Sequence, residues 1–185
     1  MGADHQGVVS ALRGAGTGRY AVMLKLPLHD DPGAEPQLDG RVTLADMRLR
    51  VPDWSLDLQH LHGPLRFDTR SIRASELEGE YNDVPVELQA RIGDATHQKD
   101  AALEASMQGR FTASALVRDY PSLDWLARVA RGQAVFDIGM SMRTDPRNGR
   151  VRQQLSIDSD LAGMALDLPA PLHKPARQRQ HLHVG

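Results

Sequence analysis

Between Ala101 and Phe111 every second residue is apolar or small: Ala101, Leu103, Ala105, Met107, Gly109 and Phe111. A period of two puts those six positions on one face of a β-strand. The same rhythm recurs at Val84, Val86, Leu88, Ala90 and Ile92, and at Ala134, Phe136, Ile138, Met140 and Met142. It is also present at Tyr20, Val22, Leu24, Leu26 and Leu28, which predicts a strand with one buried face. Residues 155–175 begin the same way, with Leu155, Ile157 and Leu161 opposite Ser156, Asp158 and Asp160. That stretch breaks at Gly163 and stops at Pro169 and Pro171. Sequential strands usually lie side by side, so the chain should form a long antiparallel meander.

Two departures from the rhythm are informative. The apolar set sits at even positions through Leu38, Val42 and Leu44, then at odd positions from Met47 to Val51. A one-residue slip turns every side chain over, so the spacing predicts either a β-bulge near Ala45-Asp46 or a tight hairpin there. Leu61 breaks phase again, which predicts a strand end there. From Leu116 to Ala130 the spacing becomes three and four, which predicts a short helical pair near residues 113–131. Pro121 suits the first turn of the second helix, and Gly132 suits its end. Asn148-Gly149 predicts a hairpin turn.

Composition narrows the functions. There are no cysteines, so thiol nucleophiles, disulfides and thiolate metal sites are excluded. A net charge of -2 gives no general attraction to nucleic acid. The arginines, dispersed among acids along the sequence, read as a solvated mixed surface. No apolar run reaches transmembrane length and the first residues are not a signal peptide.

Catalytic constellations are missing. Asp57, Glu87, Glu104, Asp137 and Asp158 fall at polar strand positions, where solvation explains them. Asp53, Asp68, Asp94, Asp145 and Asp160 fall in or near turns, where Asp caps the backbone. His60 and His62 are two apart, as are His181 and His183, but no third ligand completes a metal site. There is no nucleophile elbow, and the glycines at 14, 16 and 18 lack the Lys-Ser or Lys-Thr of a phosphate loop. No metal, cofactor or enzymatic activity is expected.

The apolar face is what remains. Two short helices are too little to cover six or more strands. Either the sheet fills its own core, or part of the face stays open and takes an apolar ligand. Flexible aliphatics and methionines suit acyl chains better than aromatics do. Phase alone picks Leu103, Met107, Phe111, Phe136, Ile138, Met140, Leu155 and Ile157 as candidate groove residues.

Residues 159–176 contain Ser159-Asp-Leu-Ala-Gly163 and Leu168-Pro-Ala-Pro-Leu-His-Lys174. This resembles the Ser-x-Leu-x-Gly and Leu-Pro-x-Pro-Leu-x-Lys stretch of the AsmA-like proteins, YhdP branch. Leu61-His-Gly-Pro-Leu-Arg-Phe67 and the stretch from Ile72 through Glu80-Tyr-Asn-Asp83 to Val86 are similar to the family's upstream strands. The resemblance covers roughly residues 38–176. It implies a mainly β protein, a twisted, curved antiparallel sheet forming a half-open apolar groove. It also implies a periplasmic location, an inner-membrane anchor outside this stretch, phospholipid acyl chains as ligand and neighbouring β repeats as partners. On that reading residues 1–185 are one β-groove domain of a longer protein, with residues 1–18 and 176–185 as flexible ends. The alternative is a structural or interaction β module with a self-filled core.

Overall fold

The computed structural model describes residues 13–25, 37–54, 56–98, 101–145 and 150–185. Ten strands form one antiparallel sheet: β1 (Arg13–Lys25), β2 (Gln37–Val51), β3 (Leu56–Asp68), β4 (Ser71–Tyr81) and β5 (Val84–Gly93), then β6 (Ala101–Thr112), β7 (Ala130–Thr144), β8 (Val151–Ser159), β9 (Met164–Leu166) and β10 (Leu182–Val184). Spatial order follows chain order from β1 to β8, and β10 lies outside β8. β9 pairs with the first three residues of β7. This is the meander that the alternating runs dictate. Leu26, Leu28 and the Asn148-Gly149 turn lie outside the described residues.

The phase slips are bulges; three lie on the neighbouring strands β2, β3 and β4, and a further register shift falls between Ala101 and Leu103 of β6. Between Leu44 and Met47 two residues of β2 face one of β3, and Asp46 has φ +58°. No hairpin forms there; β2 runs unbroken to Val51. In β3 the surplus falls at Gln59-His60, where His60 has φ +51°. In β4 it falls between Ala74 and Leu77. Each bulge restores the apolar residues to the same face, which is why Leu61 follows Leu58 out of rhythm. Leu61 is therefore inside a strand and not at its end.

Glycine makes room on the apolar face at two places. A Cβ on Gly40 would lie 2.1 Å from the ring of Phe67, its cross-strand neighbour. At Gly109 a Cβ would press on Phe111 and Val86.

The helical pair is shorter than the spacing suggests. α1 is Ala113–Val117, a 3-10 turn covers Pro121–Leu123, and α2 is Asp124–Val129. Thr112 caps α1 by accepting from the Ala115 amide at 3.1 Å. α2 ends at Ala130, which is already extended, and the chain enters β7 directly. Gly132 (φ +93°) is then not a helix terminus. It lies within β7, where a Cβ would sit 2.2 Å from the Gly163 carbonyl of the β9 turn.

Two expectations about the ends change. Tyr20 is 80% exposed and Leu24 57%, so β1 does not bury a face. It is an edge strand, and no described element lies over that end of the sheet. Residues 182–184, expected in a flexible tail, pair with residues 157–159 of β8.

Candidate functional site

Register sorts the apolar face into rows that cross the strands. One row runs Leu77, Leu88, Met107, Ile138 and Ile157. The next runs Leu65, Ala74, Ala90, Ala105, Met140 and Leu155. A third runs Phe67, Ile72, Ile92, Leu103 and Met142. Three alanines on adjacent strands thus lie between two rows of larger side chains. They outline a shallow channel crossing β4, β5 and β6. Alternation marks the apolar side of β5, β6 and β7 one strand at a time, but only register reveals the alanine row.

The face has two halves. At the end where Phe111 and Phe136 lie, Ala113 and Ala115 of α1, Leu161 and Met164 join them in one buried cluster. Phe111 is fully buried and meets Tyr81 and Phe136 edge to face, with ring centroids 6.2 and 6.4 Å away. The β4–β5 turn locks this roof in place. Asn82 and Asp83 both have positive φ, as a type I′ turn requires. The Asn82 amide donates to the Ala115 carbonyl and to Asp119, each at 3.0 Å. The Tyr81 hydroxyl donates to Asp119 at 3.3 Å, and Asp83 pairs with Arg118 at 2.7 Å. Burial, with Asp119 beside it, pushes the Tyr81 hydroxyl up to about 12.

Toward the other end the cover thins. Along β8 the sequence runs from buried Ser159 through half-buried Ile157 to Leu155, which is 53% exposed. Of the eight groove candidates, Met107, Phe111 and Phe136 lie in the roofed core. Leu103 is buried too, outside that cluster, and shares its row with buried Met142. Ile138 and Ile157 border the core, Met140 is half-buried and Leu155 is open. The structure therefore brings all eight onto one face but leaves only Ile138, Met140, Leu155 and Ile157 at accessible positions.

The polar face holds the histidines and acids in pairs. His60 bonds Asp46 at 2.7 Å, and His62 bonds Glu78 at 3.2 Å. The two rings thus turn to acids on opposite neighbouring strands and do not converge. Among the described residues no three His, Cys, Asp or Glu groups are placed to hold a metal. Asp57 accepts from Arg48, and from Arg50 at 3.0 Å; the Arg48 bond first, then Arg50, holds its carboxyl down at about 2. Asp68 caps its turn by accepting from the Arg70 and Ser71 amides at 2.8 Å.

The C-terminal motif is a clasp. The Ser159 hydroxyl donates to the Val135 carbonyl at 2.7 Å and accepts from the Leu161 amide at 3.0 Å. Lys174 is completely buried and donates through Nζ to the Leu161 and Met164 carbonyls, both at 2.7 Å. Burial lowers its pKa, and Asp160 opposes that shift. The lysine ties the segment after β9 to the turn before it and so holds Met164 in the core. Lys174 stands in the motif that carries the family resemblance, but no spacing rule distinguishes a buried lysine from a solvated one.

The molecule is a mainly β protein, an open antiparallel sheet of ten strands with two short helices. The chain belongs to the YhdP family: the family model described as YhdP protein matches residues 3–185. No curated protein and no solved structure matches the chain. Membership points to an envelope-associated protein of the lipid-transport type, in a family not known for enzymes. Among the described residues no helix is long and apolar enough to cross a membrane.

Proposed function

We propose that this chain is a segment of a periplasmic, inner-membrane-anchored phospholipid-transfer protein. It holds acyl chains on the open half of its apolar face, without catalysis. The observation that carries this reading is the unroofed aliphatic surface around Met140 and Leu155, continuous with the alanine row. Acyl chains leave water there at about 0.8 kcal/mol per buried CH₂. Head groups stay in solvent at the rim. Conformational change is not required, because the ligand slides along a surface of one chemistry.

The test is native mass spectrometry of the purified chain, with an apolar fluorescent probe as a second readout. Wild type carries phospholipid and binds the probe. Leu155→Asp, at an exposed position, keeps the fold and loses both. A folded wild type that carries no lipid and binds no probe overturns the reading for this segment.

The exposed apolar side chains of β1 favour a second reading, an interaction module that pairs through its edge with a neighbouring β repeat. On that reading Val22→Pro, which removes an edge donor, abolishes association measured by light scattering and leaves lipid occupancy untouched.

A further inference from the structure

The face opposite the apolar one carries an arrangement that the sequence hides. Arg41 of β2 lies directly opposite Arg66 of β3, Arg66 opposite Arg73 of β4, and Arg73 opposite Arg91 of β5. Four guanidinium groups on four adjacent strands thus form one row. Neighbouring strands are about 4.8 Å apart, so the row is about 14 Å long. The arginines that read as dispersed are gathered by register alone.

The fold does not account for this row. Like charges directly opposite one another destabilise a sheet. Among the described residues none of the four has an ion pair or a side-chain hydrogen bond. Arg41, Arg66 and Arg73 are exposed and Arg91 is half-buried. Of the described acids nearby, Glu104 interacts electrostatically with Arg91, and none forms an ion pair with Arg41, Arg66 or Arg73. Asp68 is bound to the Arg70 and Ser71 amides. Glu104, opposite Arg91, already accepts from the His97 and Gln98 amides at 2.9 Å. Asp39, opposite Asp68, makes no ion pair. Glu104 offsets the charge of Arg91, but Arg41, Arg66 and Arg73 stand side by side with no ion pair among the described residues, and a row that breaks the cross-strand charge rule in this way is where function is expected.

The geometry points to a docking surface for the phosphate layer of an anionic lipid bilayer. Paired guanidinium forks about 5 Å apart close on one phosphate from both sides. Two such pairs, Arg41 with Arg66 and Arg73 with Arg91, set two phosphates about 10 Å apart, two strand spacings. Adjacent lipid head groups meet that requirement without a specific pocket. A nucleic acid strand fits less well, because it calls for stacking platforms. The aromatics of these strands, Phe67 and Tyr81, belong to the apolar face. A net charge of -2 means the attraction is local, so binding needs the whole row at contact. This surface is independent of the acyl-binding face.

Vesicle co-sedimentation tests it, with equal parts phosphatidylglycerol and phosphatidylcholine against phosphatidylcholine alone. Wild type binds the anionic vesicles only, and about 0.5 M salt releases it. Arg66→Gln/Arg73→Gln lowers affinity about 30-fold, the equivalent of about 1 kcal/mol for each arginine. Its Tm does not fall, because charge repulsion is relieved. Arg128→Gln/Arg177→Gln, which removes the same charge elsewhere, binds as wild type does. Leu155→Asp also binds normally, so failure of the acyl-chain reading leaves this result standing. Equal binding by the ladder variant, or equal loss by both double variants, overturns the proposal. So does a fall in Tm on removing the ladder, or capture of inorganic phosphate or single-stranded DNA without capture of vesicles.

Discussion

The two halves of the apolar face are built from the same residue types and end in different states. At the roofed end Phe111, Phe136 and Met107 are packed with Ala113 and Ala115 of α1 and with Leu161 and Met164 of the β9 turn. Toward the other end Met140 is half-buried and Leu155 exposed, although Leu103 and Met142 in the next row are buried. The difference does not lie in the strands, whose alternation is uniform. It lies in polar clasps: Asn82 and Asp83 on the helices, Lys174 and Ser159 on the β9 turn. Hydrophobic pattern decides which face is apolar, and directed hydrogen bonds decide how much of it is covered.

Introducing one charge in each half gives the largest contrast. Met107→Asp buries an unpaired carboxylate and should cost on the order of 5 kcal/mol, enough to unfold a marginal domain. Leu155→Asp should change stability by no more than about 0.5 kcal/mol. Urea denaturation measures both, and equal losses would erase the distinction between the halves. Next in size is Lys174→Met, which strands the Leu161 and Met164 carbonyls and should cost about 2–3 kcal/mol. Hydrogen exchange should then rise in β9 and the start of β7 while the centre of β5 stays protected. Unchanged protection in β9 would remove the clasp from the account.

Alkali gives the smallest and most local effect. The folded Tyr81 hydroxyl titrates at about 12, above its ordinary 10.0. A raised tyrosine pKa favours the neutral form in the folded state. Its contribution is therefore complete below pH 10 and is lost as pH rises from about 10 to 12. Wild type should lose about 1–2 kcal/mol relative to Tyr81→Phe over that window. A difference that is flat with pH would mean the roof does not bury this group.

Much of the fold was legible because its grammar is simple. Alternation located the central strands, and the switch to a spacing of three and four located the helices. The phase break at Ala45-Asp46 announced a bulge, although sequence alone left a hairpin open. The out-of-phase Leu61 carried the same information and was read as a strand end, because a bulge and a terminus break the rhythm alike. What stayed hidden depends on register. The alanine row Ala74, Ala90 and Ala105 and the arginine row from Arg41 to Arg91 each draw on strands far apart in sequence. The burial of Lys174 was hidden for a different reason. It depends on carbonyls that only the folded turn brings together.

The bulges at Asp46, His60 and residues 75–76 have a consequence for how such a chain changes over time. Three neighbouring strands each carry one surplus residue, and each surplus is in step with those beside it. Deleting one alone would turn the rest of that strand inside out while its neighbours stayed put. A change of length here therefore keeps the apolar face continuous only when the three strands change together.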